Sequence, residues 1–527
     1  MSIAFTNGPI HGHPSATAVL VDGTTITAIG GNDLAMNATN VIDLAGRPLF
    51  PGFQDAHAHP SMAGLELVSC YLAETPNDEA PYLQVVADYA ARSDKPWITG
   101  AGWSMEAFDR GIPTAAALDA VVSDRPVMLW NADHHGVWVN SKALEIAGIT
   151  ADTPDPEDGR IDRDEQGNPI GSLQEGATEL VNSHVPELTQ EERIEGILAG
   201  QAYDLALGIT AWHDAYVDPA THDAYVTLDG RGGLIGAVIG GLWWERDEDA
   251  EQIAEFVARR DSTPAGRYQA TAIKMMLDGV AENYTASMLR PYLDESGEPT
   301  DNRGIDFIDP EDLKRYVTML DAAGFQVHMH ALGDRAVRNG LDAIEAAIAA
   351  NGDSNRRHHL AHLQVVDRAD LPRFAELGAG ANAQPLWARH EEQMDLLTIP
   401  FLHPDAANHQ YPWRSLLDAD ATLVFGSDWP VSSPDPLLGI GTAVSRTRPG
   451  SLPEPFLPEQ RITMDEAITA YTQGSAWVGH RDDHTGRIEV GYDADLVVVD
   501  RPLETADDAF AASVDMTMVQ GKVVYEK

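Results

Sequence analysis

The sequence predicts an α/β fold: a (β/α)8 TIM-type barrel, with a small β-sandwich formed by both chain ends and an insertion after the first barrel strand. Three observations predict it. Short apolar runs alternate with helical patterns through the middle of the chain, as successive βα units require. Ionisable residues recur at the ends of those runs, where a barrel gathers its active site. The two chain ends carry strand-and-turn patterns of their own.

Taken in order, the first fifty residues read as short strands at 17–21 and 24–29, separated by the turn signal Asp22-Gly23 and followed by Gly30-Gly31. The closing segment mirrors them, with an apolar run at 496–499 and a last strand pair around 517–525 turning at Gln520-Gly521. These ends, 1–48 and 480–527, are expected to share the sandwich, leaving 49–479 for the barrel. Candidate barrel strands are 48–59, 209–214, 234–242, 270–277, 325–331, 358–364, 379–384 and 422–428. The interval between the first two is far longer than the 2 to 6 residues usual for a βα loop. An inserted subdomain or lid is therefore expected over 61–201, with a loop rich in Asp, Pro and Gly at 152–169.

Composition narrows the function classes. Of 527 residues, 43% are apolar, enough for a substantial core, and one cysteine excludes an internal disulfide or a Cys-rich zinc ribbon. Asp plus Glu number 82 against 35 Lys plus Arg, a formal charge of -47, which disfavours nucleic acid and anionic membranes as partners. Only six lysines occur: Lys95, Lys142, Lys274, Lys314, Lys522 and Lys527. An acid-coated surface with Arg in place of Lys points to halophilic adaptation, since a Debye length of about 3 Å at 1 M salt removes most self-repulsion. The N-terminal residues show no basic stretch followed by an apolar core, and no apolar run has the length of a membrane span. A cytoplasmic enzyme acting on a small molecule is the expectation.

The chemistry concentrates at the strand ends. In His57-Ala58-His59 the strand period of two turns both imidazoles to one face, so both can bind one metal in the barrel mouth. His328-Met329-His330 closes the fifth strand, His362 ends the sixth and Asp428 ends the eighth. Two imidazoles from the first strand, one each from the fifth and sixth, and a carboxylate from the eighth form a ligand set suited to Zn²⁺ or a similar divalent ion. Lys274 stands out because a chain nearly free of lysine places one inside the apolar strand Thr271-Ala272-Ile273-Lys274-Met275-Met276-Leu277. Burial lowers an amine's pKa, and a neutral amine can capture CO₂ to become a carbamate that bridges two cations. The competing reading of Lys274 is a side chain reaching out of the strand end, or paired with Asp278.

Several segments together resemble the amidohydrolase superfamily, and within it amidohydrolase family 3, the branch that includes N-substituted formamide deformylase. They are residues 53–60 and 273–279, His330-Ala331-Leu332-Gly333-Asp334-Arg335, His362-Leu363-Gln364, Gln384-Pro385 and Gly426-Ser427-Asp428-Trp429-Pro430, with residues 135–144, Gly171-Ser172-Leu173-Gln174-Glu175 and Gly208-Ile209-Thr210 fitting the same branch. The resemblance spans nearly the whole chain and implies a metal-dependent barrel beside a small sandwich. Position by position, it implies a metal site of His57, His59, a carbamylated Lys274, His330 and His362, with Asp428 as the remaining ligand and general base. His328 is then not a ligand, because the family's histidine stands immediately before the Ala-x-Gly-Asp step. Cys70 is read as a small buried residue rather than a bridging thiolate.

The implied reaction is hydrolysis of a carbon-nitrogen bond, an amide and in particular an N-substituted formamide, by a metal-activated water with Asp428 shuttling the proton. A rival is a mononuclear zinc deaminase of a heterocyclic amine; such barrels place a glutamate shortly after the fifth-strand histidine, where this chain has Ala331-Leu332-Gly333-Asp334. A rival of another class is an inactive barrel serving as a binding or scaffold protein. Substrate contacts are sought among Trp103, His135, Glu175 and Gln384, with Trp130, Trp138, Trp387 and Trp429 as further aromatic candidates that otherwise pack the core or the lid. Family resemblance is compatible with a homodimer. The residue types suit one metal or two, and Zn²⁺, Mn²⁺ or Fe²⁺ alike.

Overall fold

A computed structural model describes residues 2–108, 111–132, 136–156, 159–246, 248–450 and 454–527. The chain forms two compact units, Met1–Pro60 with Gln201–Lys527, and Ser61–Gly200.

The first unit is built on a sheet of eight strands in sequence order: β1 (Phe53–Ala58), β2 (Ile209–Val217), β3 (Ala237–Trp243), β4 (Tyr268–Met276), β5 (Gln326–Ala331), β6 (His359–His362), β7 (Gly380–Ala383) and β8 (Thr422–Phe425). Every neighbouring pair is parallel. The ring closes beyond β8, where Asp428 N donates to His57 O at 2.7 Å and His59 N donates to Trp429 O at 2.8 Å. That approach needs Gly426, whose Cβ would lie 2.4 Å from His57 N. Strands buried on both faces read as nearly unbroken apolar runs, and β5 is buried throughout. Alternation sets His328 and His330 on one face of β5 and Val327 and Met329 on the other.

Helices flank the barrel with local signals at their starts. Asp218 caps the helix α1 (Pro219–Gly230), accepting from Thr221 N at 2.6 Å, and Asp309 caps α2 (Pro310–Ala322). Both carry proline in the first turn, where no N–H is needed. A third helix, α3 (Asp334–Asn351), buries Val337, Leu341 and Ile344 at helical spacing.

The sandwich consists of two four-stranded sheets. One has the order Thr25–Gly30, Ala18–Asp22, Ser2–Thr6, Asn40–Asp43; the other has Lys522–Glu526, Val514–Val519, Leu496–Val499, Leu49–Pro51. Phe5, Val19, Val21, Leu49, Leu496 and Met518 share its core.

The expected first strand at 48–59 is two strands. Leu49–Pro51 pairs antiparallel with Leu496, Val497 and Val498 in the sandwich, so that domain takes more than residues 1–48, and the barrel begins at Phe53. The hinge is Gly52, where a Cβ would lie 2.3 Å from Thr210 Oγ1. The sixth and eighth strands also stop earlier than the expected 364 and 428. His362, Leu363 and Asp428 adopt φ of 79°, 50° and 62°, in the left-handed region that ends a strand.

The second unit has a six-stranded sheet in the order Gly159–Arg163, Pro169–Glu175, Gly136–Val139, Val127–Asn131, Ile98–Trp103, Cys70–Tyr71. The helix Glu79–Arg92 buries Tyr82, Val86 and Tyr89. Among the described residues no helix is long and apolar enough to cross a membrane.

Candidate metal centre

The barrel mouth assembles its polar groups from the ends of five strands. His57 lies on β1 with His59 just past its end, Lys274 on β4, His330 on β5, His362 at the end of β6, and Asp428 three residues past β8. His57 Nε2 and His59 Nε2 both lie 3.1 Å from Asp428 Oδ1. These three side chains can offer ligand atoms that all fall within 4.8 Å of one another. His362 is adjacent, its ring centroid 4.8 Å from that of His57 and 4.5 Å from that of His330.

Three of the candidate ligands are held by groups behind them. Asp278 Oδ1 accepts from His330 Nδ1 at 3.0 Å and from Leu332 N at 3.1 Å, while its Oδ2 accepts from Ser287 N and Gly333 N, both at 2.9 Å. This fixes the ring with Nδ1 on Asp278 and leaves Nε2 as the atom that a metal would meet. His57 Nδ1 lies 2.8 Å from His328 Nε2. His362 stacks on Trp387, with centroids 5.2 Å apart and planes 6° apart. Asp55 accepts from His57 N and Ser427 N, each at 3.0 Å, tying β1 to the segment that carries Asp428. Burial pushes the Asp55 carboxyl up to about 7.

The electrostatics suit a cation. Burial, then the neighbouring Lys274, pushes His57 down to about 3, and burial followed by His330 holds His362 well below the usual range. Both imidazoles are therefore neutral and carry lone pairs. Burial opposes the charge on Asp428, but the hydrogen bonds with His57 and His59 hold its carboxyl well below the usual carboxylate range. Burial brings Lys274 down to about 7 against the pull of Asp428. Lys274 Nζ has no hydrogen-bond partner among the described residues, nor do His59 Nδ1 and His362 Nδ1. A set of neutral imidazoles, a carboxylate and an unpartnered buried amine fits a divalent ion of the zinc class.

Sequence reasoning missed a second layer. His213 on β2, His328 and His359 can also bring ligand atoms within 4.8 Å of one another, one step nearer the N-terminal ends of the strands. If His57 binds metal through Nε2, its Nδ1 proton is donated to His328 Nε2, and neutral His328 keeps its own proton on Nδ1. That nitrogen then has no lone pair to offer, so the lower trio works as support for His57. Asp278, expected from sequence only as a partner for Lys274, instead meets His330, and the signal for that contact is its position just past β4 beside the fifth strand.

The expected substrate contacts fare differently. Trp103 is fully buried in the core of the second unit, its indole N–H donating to Leu129 O at 2.8 Å, so it is a packing residue. Trp138 shares that core, and burial pushes the Cys70 thiol there up to about 12, which leaves it inert. Glu175 is exposed at the end of its strand with φ of 50°, a turning position. His135 lies outside the described residues. Gln384 is fully buried, its amide donating to Asn382 Oδ1 at 3.0 Å, and Asn382 in turn donates to Ala56 O at 2.9 Å. Gln384 thus braces β7 against β1. Trp429 stacks on Tyr203. Trp387 does line a cavity of about 420 Å³, together with Val280, Glu282, Leu332, Gln364 and Leu386. Since Leu332, Gln364 and Val431 follow His330, His362 and Asp428 by two or three residues, this cavity opens beside the ligand set.

Comparison with known proteins gives the family and the fold. The model of the amidohydrolase family matches residues 40–525. The chain is 28% identical to N-substituted formamide deformylase of Arthrobacter pascens over 97% of this chain and 95% of that protein. It is 29% identical to the protein LONG AFTER FAR-RED 3 of Arabidopsis thaliana over 93% of this chain and 84% of that one. Among solved structures, an uncharacterized metal-dependent hydrolase of Pyrococcus furiosus superposes with a TM-score of 0.76 at 23% identity, covering 95% of this chain and 99% of the other, a likeness of fold. With a family match over nearly its whole length, the chain belongs to the amidohydrolase family and is a hydrolase of carbon-nitrogen bonds.

Proposed function

We propose that this hydrolase is metal-dependent, that His57, His59, Lys274, His330, His362 and Asp428 hold one or two divalent ions, most simply Zn²⁺, and that its substrate is an amide of the N-substituted formamide kind. The observation that carries the reading is the convergence of His57 Nε2 and His59 Nε2 on one Asp428 oxygen, 3.1 Å from each. The 28% identity to N-substituted formamide deformylase over nearly both chains supports the substrate class. A divalent ion, when bound, supplies Lewis acidity and brings the pKa of a water from 15.7 to about 7.

The chain's own groups do the rest. Neutral Lys274 takes up CO₂ with loss of one proton, forming an N–COO⁻ group whose two oxygens add to the donor set. Asp428 accepts a proton from the attacking water and returns it to the departing nitrogen, so one carboxylate serves as base and then acid. His328 and Asp278 keep His57 and His330 in the tautomers that leave Nε2 for the ion. Trp387, against the face of His362, shapes the wall on which the substrate's apolar part rests.

The test is metal content per chain by elemental analysis, with intact mass under conditions that retain a carbamate, followed by turnover of a panel of N-substituted formamides. Two metals per chain and a CO₂ adduct absent in Lys274→Ala support the binuclear form. One metal and no adduct point to a mononuclear site. Full formamide turnover in Asp428→Asn would sink the proposed proton shuttle.

A further inference from the structure

The cavity beside the candidate metal site has mixed walls: Val280, Leu332, Leu386 and Trp387 form an apolar side, and charged and polar groups the rest. Arg389 lines it and is engaged by Glu391, Nε donating to Oε1 at 2.8 Å. Glu282, on the segment after β4, has no such cation. Its carboxylate accepts from its own backbone N–H and, through Oε1, from Gln393 Nε2 at 3.3 Å, while Oε2 has no partner in another residue among those described. A carboxylate oxygen left without a donor costs free energy, and because the Glu282 side chain is only half-buried, a turn of the carboxylate towards the cavity lets a ligand supply that donor. Burial holds the Glu282 carboxyl above its usual range, as expected of an acid waiting for a partner.

Resting on the proposed hydrolysis at this site, we infer that the cavity takes amides whose apolar body carries a second, basic nitrogen, and that Glu282 holds that nitrogen as an ammonium or amidinium ion. A pocket with an apolar side and one acid that no cation compensates among the described residues selects a cation attached to an apolar frame, because a neutral frame leaves Glu282 without a cation and an acidic one adds like charge. Glu282 thus acts on which substrate is accepted and takes no part in moving the proton.

The test compares two formamides of one size on the metal-loaded enzyme at neutral pH: an N-benzyl formamide bearing a ring aminomethyl group, and its ring-methyl counterpart. The expected result is a kcat/KM ratio of tenfold or more in favour of the amine, carried mainly by KM, which falls to within about threefold of unity in Glu282→Gln. Equal handling of the pair by the wild type, or a preference that survives in Glu282→Gln, would overturn the assignment. Calorimetric Kd values for the same pair on both proteins read the pocket independently of turnover. If neither formamide is hydrolysed but the amine binds tenfold tighter to the wild type alone, the formamide reading fails and the role of Glu282 stands. Equal binding sinks the role of Glu282 whatever the turnover.

Discussion

His57 Nδ1 and His328 Nε2 stand 2.8 Å apart in the buried barrel interior, and in the proposed metal site this contact takes the His57 proton on Nδ1 and frees Nε2 for the ion. Supporting groups behind a ligating histidine typically contribute 10- to 100-fold in metal affinity. Replacing His328 with Phe, which keeps the volume and removes the acceptor, is expected to weaken metal binding by about that factor. His328→Gln, which retains a carbonyl acceptor, recovers part of it. Competition with a chelating dye measures both; equal affinity in all three proteins would reduce His328 to packing.

Lys274 links stability to pH in a sense that can be worked out. Its folded-state pKa of about 7 lies below the ordinary 10.5, so the unfolded chain holds a proton that the folded chain gives up. Stability therefore rises with pH between 7 and 10.5, by about 1.4 kcal/mol per unit from this group. Metal-free Lys274→Met, which lacks the cost, is expected to melt above metal-free wild type at pH 7.5, with the gap closing towards pH 10.5. The same variant loses metal. Calorimetric scans of both apoproteins across that range check it, and a gap that widens with pH would contradict it.

Gly426 admits no side chain. A Cβ there would lie 2.4 Å from His57 N and 2.7 Å from His57 Cβ, so backbone would have to move where the barrel closes. Gly426→Ala should cost about 1–3 kcal/mol, the usual range for overpacking. It should also lower metal occupancy, because the displaced segment carries Asp428. Thermal melting with metal analysis would show both losses together, whereas lost stability with full metal content would separate barrel closure from the centre.

The surface should respond to salt. A formal charge of -47 repels itself over about 30 Å at 0.01 M salt but only about 3 Å at 1 M. We propose adaptation to high salt, and expect the melting temperature to rise by about 10 °C between 0.1 M and 2 M KCl. Unchanged melting would reject it.

Much of the fold is legible in the sequence. The period-two histidines, the isolated lysine and the carboxylate after Gly426-Ser427 marked the strands that converge on the candidate site, because buried ionisable residues in apolar runs are rare without a partner. Gly52 was harder to read: 48–59 is one apolar run, and only the approach of Thr210 from a distant strand shows that the run must break. The supporting residues were hidden for a similar reason. Asp278 and His213 look like ordinary strand residues until the barrel closes and shows what they face. Trp103 misled because a large aromatic in an insertion reads equally as pocket wall or core, and burial alone separates the two.

His57 and Asp428, which meet at one oxygen, are 371 residues apart in the chain. Holding such distant points together costs roughly 5 kcal/mol of loop entropy on a simple closure estimate. An ion gripped from both sides would act as a clasp on the whole polypeptide. A chain still being synthesised could not fasten it before residue 428 had emerged, so metal uptake would report that the ring of strands had been completed.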